Sequence, residues 1–99
     1  MASFSLVFTA AAAEHLEQLE RDRGLAKRLK AVRKTLARLE TDPRHPGLQS
    51  HEFKSLSGVQ GVKVFESYAE QDTPAAYRVF WHYGPEKGQV TIIAITSHP

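Results

Sequence analysis

The chain has 99 residues, a formal charge of +2 and no cysteine. This length fits one domain over residues 1–99 and excludes a Rossmann unit with a substrate domain, a TIM barrel or a capped solenoid. The lack of cysteine excludes disulfides, a thiolate nucleophile and a thiolate zinc site. With 41% hydrophobic and 24% charged residues, the composition is that of an ordinary globular domain.

The first residues do not resemble an export signal. They lack the basic segment that begins a secretory signal peptide. The longest apolar stretches, residues 10–13 and 92–95, are far shorter than the ~20 residues that span a bilayer. We therefore expect a cytoplasmic protein with no membrane contact.

The charge is distributed unevenly along the chain. Nine basic and three acidic residues lie between Arg21 and Arg44, so this segment carries +6. The rest has four basic and eight acidic residues and carries −4. A basic segment of this kind either attracts a polyanion or is simply a solvated helix face, and the sequence leaves both interpretations open.

The first half of the chain predicts a strand and two helices. Residues 4–8 are rich in strand formers. Thr9 is a suitable N-cap for a helix that begins in the alanine run and ends near Gly24. Apolar residues then recur at spacings of four, three, four and three, which predicts an amphipathic second helix: Leu25, Leu29, Val32, Leu36 and Leu39.

The second half predicts strands. Two prolines and a glycine within residues 43–47 end the helical part. Residues 52–56 are a candidate short strand, and residues 57–61 are a turn. Three clearer strands follow at 62–69, 77–83 and 90–97. The last is apolar on both faces and is expected to be central. The predicted fold is α+β, in the order β-α-α-β-β-β, with a helical hairpin packed on a small, mainly antiparallel sheet.

Arg78 lies on an interior strand of this predicted sheet. An arginine is costly there unless it is paired or borders a cleft. The loop length allows Glu66 to pair opposite Arg78. If Tyr83 pairs with Gln89 on the last strand, Ala94 lies opposite Arg78. A slip of one residue would instead turn the neighbouring residues of that strand, Ile93 and Ile95, to the face of Arg78. A structural ion pair and a functional role both remain open for Arg78.

The histidines of the sequence form no metal-binding motif. His45 and His51 lie in the connector rich in proline and glycine, where we expect them to be solvated. His51 and Glu52 begin like a zinc-protease motif, but Ser55 stands where the second histidine is required. Because no His, Asp or Glu group has metal-ligand spacing, neither a metal nor another cofactor is predicted.

Five short segments carry a resemblance to a known family. They are LETDP at 39–43, HPGL at 45–48, LSG at 56–58, YRVFW at 77–81 and IIAITSH at 92–98. Following a strand and two helices, they resemble the RelE/ParE superfamily of toxins from bacterial type II toxin–antitoxin modules. The Leu-Ser-Gly segment and the histidine after the last strand resemble its YoeB-like branch.

The resemblance implies a ribosome-dependent, metal-free endoribonuclease that cuts mRNA to a 2′,3′-cyclic phosphate and a 5′-hydroxyl. It implies that Arg78 stabilises the phosphate charge and that His98 is the general acid. Glu52 lies near the position of the family's general base, and Glu66 is its rival because it could face Arg78. Further substrate contacts are expected from four side chains: Lys54, Lys63, His82 and Tyr83.

The same resemblance allows two alternatives. A ParE-like toxin would inhibit DNA gyrase without catalysis, and a third type of member would bind with only weak catalysis. In every case the expected partner is a cognate antitoxin in a heteromeric complex. The nuclease would in addition bind the ribosome and mRNA.

Overall fold

The computed structural model describes residues 3–57 and 61–97, apart from the side chains of 55–57. The turn expected at 57–61 therefore lies partly, and His98 wholly, outside the described residues. The predicted α+β fold is confirmed, and the candidate strand is a full one. The elements are β1 (Ser5–Phe8), α1 (Ala10–Arg21), α2 (Ala26–Thr41), β2 (His51–Ser57), β3 (Lys63–Tyr68), β4 (Tyr77–Tyr83) and β5 (Gln89–Ser97).

The helix boundaries lie close to the predicted ones, except that α1 ends at Arg21 and a 3₁₀ turn over Arg23–Leu25 separates it from α2. The Thr9 hydroxyl accepts a hydrogen bond from the Ala12 amide at 3.1 Å and so caps α1. The Asp22 carboxylate accepts from the Gly24 amide at 2.9 Å and begins a short 3₁₀ turn that leads into α2. Helix α2 ends shortly before Pro43, which cannot continue it. None of the helices described is long and apolar enough to cross a membrane.

The five strands form one mixed sheet in the order β1-β5-β4-β3-β2. Strand β1 pairs with β5 in parallel, and the other neighbours are antiparallel. Strand β5 is therefore interior, as its apolar character on both faces predicts. Strand β4, which carries Arg78, is interior as well.

The helices cover one face of the sheet and form the main core with it. The predicted stripe of α2 supplies Val32, Leu36 and Leu39, all buried. The sheet supplies alternate residues of β4 and β5, of which Trp81 is the largest. The buried indole Nε1 of Trp81 donates to Ser67 Oγ at 2.7 Å, so its polar atom is satisfied inside the core. The face of the sheet opposite this core carries Arg78.

The register around Arg78 differs from both pairings considered above. Arg78 lies opposite Tyr68 on β3 and opposite Thr96 on β5, rather than opposite Glu66 and Ala94. On both neighbouring strands, the residue opposite Arg78 lies two positions along the strand from the residue considered above. Because strand side chains alternate between faces, a displacement of two leaves Glu66 on the same face as Arg78.

A bulge accounts for the displacement on β5. Next to the turn, Tyr83 pairs with Val90, a shift of one residue from Gln89, and a second shift follows between Phe80 and Trp81. Two shifts of one residue restore the original face. Helix α1 satisfies backbone groups at this bulge: Thr9 Oγ1 donates to the carbonyl of Ile93 at 2.9 Å, and the Ile95 amide donates to His15 Nδ1 at 3.1 Å.

Candidate functional site

Four polar side chains meet on the sheet face opposite the helices. We call them the Glu66 cluster: His51 of β2, Glu66 and Tyr68 of β3, and Arg78 of β4. Period-two alternation brings them together, because the residues between them face the helices. Their strands are neighbours in the sheet, so no long loop is needed to hold them.

Glu66 is the centre of the cluster and is completely buried. His51 Nε2 lies 2.7 Å from Glu66 Oε1, and Arg78 Nε lies 3.9 Å from Glu66 Oε2. A buried carboxylate is costly unless opposite charge and hydrogen bonds compensate it. The two basic side chains supply that charge from two neighbouring strands.

Arg78 is held from several sides. Its guanidinium lies 3.8 Å from the centre of the Tyr68 ring, at cation–π distance. Its Nη1 donates long hydrogen bonds to three backbone carbonyls, those of Glu70, Ala76 and Tyr77, at 3.3, 3.3 and 3.4 Å. With 13% of its side chain exposed, Arg78 is largely buried but still reaches solvent.

His51 is the accessible member of the cluster. Its side chain is 47% exposed, and its ring meets the Tyr68 ring edge-on at 5.8 Å between centroids. From the sequence we expected a solvated connector histidine, but β2 begins at His51 and places it directly opposite Glu66. The available signal was Phe53: its ring packs against Phe80 on the face that carries Arg78, at 5.2 Å between centroids, and alternation puts His51 on that same face.

The other predicted catalytic residues do not join the cluster within the described residues. Glu52 lies opposite Phe65, whose ring stacks on Trp81 at 4.9 Å, so Glu52 belongs to the helix-covered face and is exposed at its edge. His98 lies outside the described residues. Of the four catalytic candidates, the structure therefore brings together Glu66 and Arg78.

The predicted substrate-binding residues are dispersed. Lys54 of β2 and Lys63 of β3 are exposed. His82 shares the face of Arg78 but lies four residues further along β4, with Nδ1 2.7 Å from the Tyr83 carbonyl. Tyr83 is 41% exposed and contributes to a cleft of about 360 Å³ on the other face, together with Phe65, Trp81 and the connector.

Part of the basic segment is already paired. Arg28 Nε lies 2.8 Å from Glu70 Oε1 and its guanidinium stacks on Tyr77 at 4.4 Å, which ties α2 to the loop before β4. Arg21 and Arg33 pair with glutamates of α1. Among the described residues, three exposed lysines of α2 have no such partner: Lys27, Lys30 and Lys34.

The described part of the chain contains no group of three or more His, Asp or Glu side chains that could hold a metal ion. What the Glu66 cluster offers instead is proton transfer and charge stabilisation. It combines an exposed imidazole, a buried carboxylate and a guanidinium within one small region of the sheet.

Comparison with known proteins identifies the fold. No protein-family model and no curated protein matches the sequence. Among solved structures, a YoeB/ParE toxin from Agrobacterium tumefaciens is 14% identical, with 97% of this chain and 100% of that chain covered at a TM-score of 0.72. The YoeB dimer of Staphylococcus aureus is 13% identical, and the match covers 99% of this chain and 100% of that chain at a TM-score of 0.66.

A third solved structure is the archaeal RelE–RelB complex of Pyrococcus horikoshii. It is 10% identical, and the match covers 96% of this chain and 94% of that chain at a TM-score of 0.64. The matches extend over almost the whole of each chain. The chain thus has the fold of the RelE/ParE toxin superfamily, as its sequence motifs predict.

Proposed function

We propose that this protein, which has the RelE/ParE toxin fold, is the toxin of a toxin–antitoxin module and cuts mRNA on the ribosome. The observation that carries the proposal is the Glu66 cluster. An accessible histidine and an arginine flank a buried carboxylate there, and such groups serve acid–base chemistry at a phosphate. The RelE–RelB complex among the similar structures supports an antitoxin as partner.

The proposed reaction needs a base, a cation and an acid. The base helps the ribose 2′-hydroxyl to attack the neighbouring phosphorus, and the acid protonates the departing 5′-oxygen. Arg78 is the proposed cation. Its Nη1 is occupied by carbonyls, whereas none of the described residues accepts a hydrogen bond from Nη2, which leaves that group for a phosphate oxygen. His98 is the proposed acid, on its sequence motif.

Association with the ribosome is proposed to involve the basic face of α2. Lys27, Lys30 and Lys34 are exposed and, within the described residues, unpaired. A row of cations attracts the phosphates of ribosomal RNA, and the same face suits an acidic antitoxin segment. We accordingly propose a cytoplasmic location, where ribosomes translate mRNA.

One observation favours the second candidate, a ParE-like inhibitor of DNA gyrase. Arg78 is only 13% exposed and its charge is balanced by Glu66, as in a purely structural ion pair. If the pair has no further role, toxicity would come from binding alone. The Glu66 cluster would then serve only the stability of the sheet.

Brief induction in a bacterium, followed by mapping of RNA 5′ ends and measurement of plasmid supercoiling, separates the two candidates. The nuclease predicts new 5′-hydroxyl ends within translated codons and unchanged supercoiling. Arg78→Lys, which keeps the charge but loses the planar guanidinium, should reduce the cuts strongly. Arg21→Ala, at an exposed arginine of α1, should leave them unchanged. Intact mRNA together with altered supercoiling would contradict the nuclease and support the gyrase inhibitor.

A further inference from the structure

We infer that His51 is the general base of the proposed reaction and that Glu66 is its positioning residue. The inference rests on the proposed function and names the group that accepts the ribose proton. Neither Glu52 nor Glu66 suits that role. Glu52 lies on the other face from Arg78, and Glu66 has no exposed surface with which to contact a ribose.

The contact between the two side chains determines the tautomer of His51. An ionised carboxylate can only accept hydrogen bonds, so the ring nitrogen facing it must carry the hydrogen. His51 Nε2 faces Glu66 Oε1 at 2.7 Å, within the range of a charge-assisted hydrogen bond once the N–H is turned toward the oxygen. In the neutral imidazole, the lone pair is then on Nδ1.

Accessibility makes His51 the member of the cluster that meets substrate. Its side chain is 47% exposed, whereas Glu66 beneath it is completely buried. The Tyr68 ring contacts the imidazole in a T-shaped arrangement, with 5.8 Å between the ring centroids. None of the described residues hydrogen-bonds to Nδ1, so this atom can accept a proton from an incoming hydroxyl.

Charged and aromatic groups of β3 and β4 surround His51. Directly opposite it on β3 lies Glu66, with Tyr68 beside the ring and Arg78 on the far side of the carboxylate. A positive charge that develops on the imidazole is stabilised by the Glu66 carboxylate at contact distance. This arrangement of carboxylate, imidazole and attacking hydroxyl follows the logic by which an aspartate orients the histidine in serine hydrolases.

The step conserves atoms and charge. His51 Nδ1 takes the proton of the ribose 2′-hydroxyl while the 2′-oxygen forms a bond to the adjacent phosphorus. The bond from phosphorus to the 5′-oxygen breaks, and that oxygen takes a proton from the general acid. The products are a 2′,3′-cyclic phosphate, a 5′-hydroxyl, a protonated His51 beside Glu66 and the deprotonated general acid.

The experiment measures single-turnover cleavage of a defined mRNA on purified ribosomes, together with ribosome affinity. His51→Ala should lower the cleavage rate by about 10² to 10⁴-fold, the range of general base catalysis, without changing affinity. Added imidazole should restore part of the rate in proportion to its concentration. His45→Ala, at the connector histidine, is the matched control and should cleave at the wild-type rate.

Two further variants keep the test informative even if His51→Ala lowers the stability of the protein. His51→Gln retains a donor for Glu66 but cannot accept the proton, so it should be as slow as His51→Ala. Glu66→Gln should cleave more slowly than wild type with unchanged ribosome affinity, and added imidazole should not restore its rate. Folding of each variant is checked by the fluorescence of Trp81, which is buried in the core.

The outcomes separate the inference from the proposed function. If the wild-type protein cuts no mRNA, the proposed function fails and the inference fails with it. If the wild type cuts and a folded His51→Ala or His51→Gln variant cuts equally fast, only the inference is overturned. A slow His51→Ala variant that imidazole does not rescue also overturns it, since His51 then has a structural role.

Discussion

The ion pair between Glu66 and Arg78 should contribute measurably to stability because both groups are withdrawn from water. Arg78→Met removes the cation that lies 3.9 Å from the Glu66 carboxylate and leaves that carboxylate buried. Loss of one partner of a buried pair costs about 3–5 kcal/mol. Glu66→Gln should cost less, about 1–3 kcal/mol, because Arg78 keeps its carbonyl contacts and the Tyr68 ring.

The double variant measures the coupling between the two residues. At 3.9 Å and an effective dielectric constant of about 20, the Coulomb attraction is about 4 kcal/mol before the cost of desolvation. We therefore expect the double variant to lose about 1–3 kcal/mol less than the sum of the single variants. Equilibrium unfolding in urea, followed by the fluorescence of the single tryptophan, gives each free energy.

The exposed pair of Arg21 and Glu17 is the control. Its side chains are 70% and 64% exposed, so its coupling should be about 0.3–0.5 kcal/mol. That coupling should disappear in about 1 M salt, where the Debye length falls to about 3 Å. The coupling of the buried pair should persist in the same salt. If the buried cycle is additive, or if its coupling disappears with salt like the control, the electrostatic account of Arg78 is refuted.

Two further predictions concern the basic face and the core. Charge reversal at the three exposed lysines of α2 should weaken ribosome association and reduce the slope of log affinity against log salt by at least about two, since each lost phosphate contact removes ~0.7–0.9. Lys87→Glu, in the turn before β5, is the control, and an unchanged slope would show that the face is merely solvated. Ser67→Ala should lower the free energy of unfolding by about 1–3 kcal/mol, because the Trp81 N–H loses its acceptor. Ser5→Ala, at an exposed position of β1, should change it by less than about 0.5 kcal/mol, and equal effects of the two variants would contradict the assignment.

Local patterns were sufficient to predict the elements. The spacing of leucine and valine predicted α2, and the residue type of Thr9 predicted the start of α1, because both depend on neighbours within one helical turn. Alternation predicted the face of each side chain on β3 and β4. It allowed Glu66 and Arg78 to share a face but left the register between their strands open, and neither pairing considered for Arg78 occurs in the structure.

Partners across the sheet depended on tertiary structure. Which residue lies opposite Arg78 depends on the turn before β5 and on the bulge that Thr9 and His15 hold, and no local pattern contains either. The pairing of β1 with β5 joins strands from the two ends of the fold.

His51 shows most clearly which features depend on the local sequence and which depend on tertiary structure. By itself, the sequence determined that a histidine follows a turn rich in proline and glycine, and it allowed a register in which Glu66 and Arg78 share one face of the sheet. Only the pairing of β2 with β3 placed that histidine over the buried carboxylate. The physical reason is that a side chain's face follows from its own strand, whereas its neighbours follow from how separate strands align.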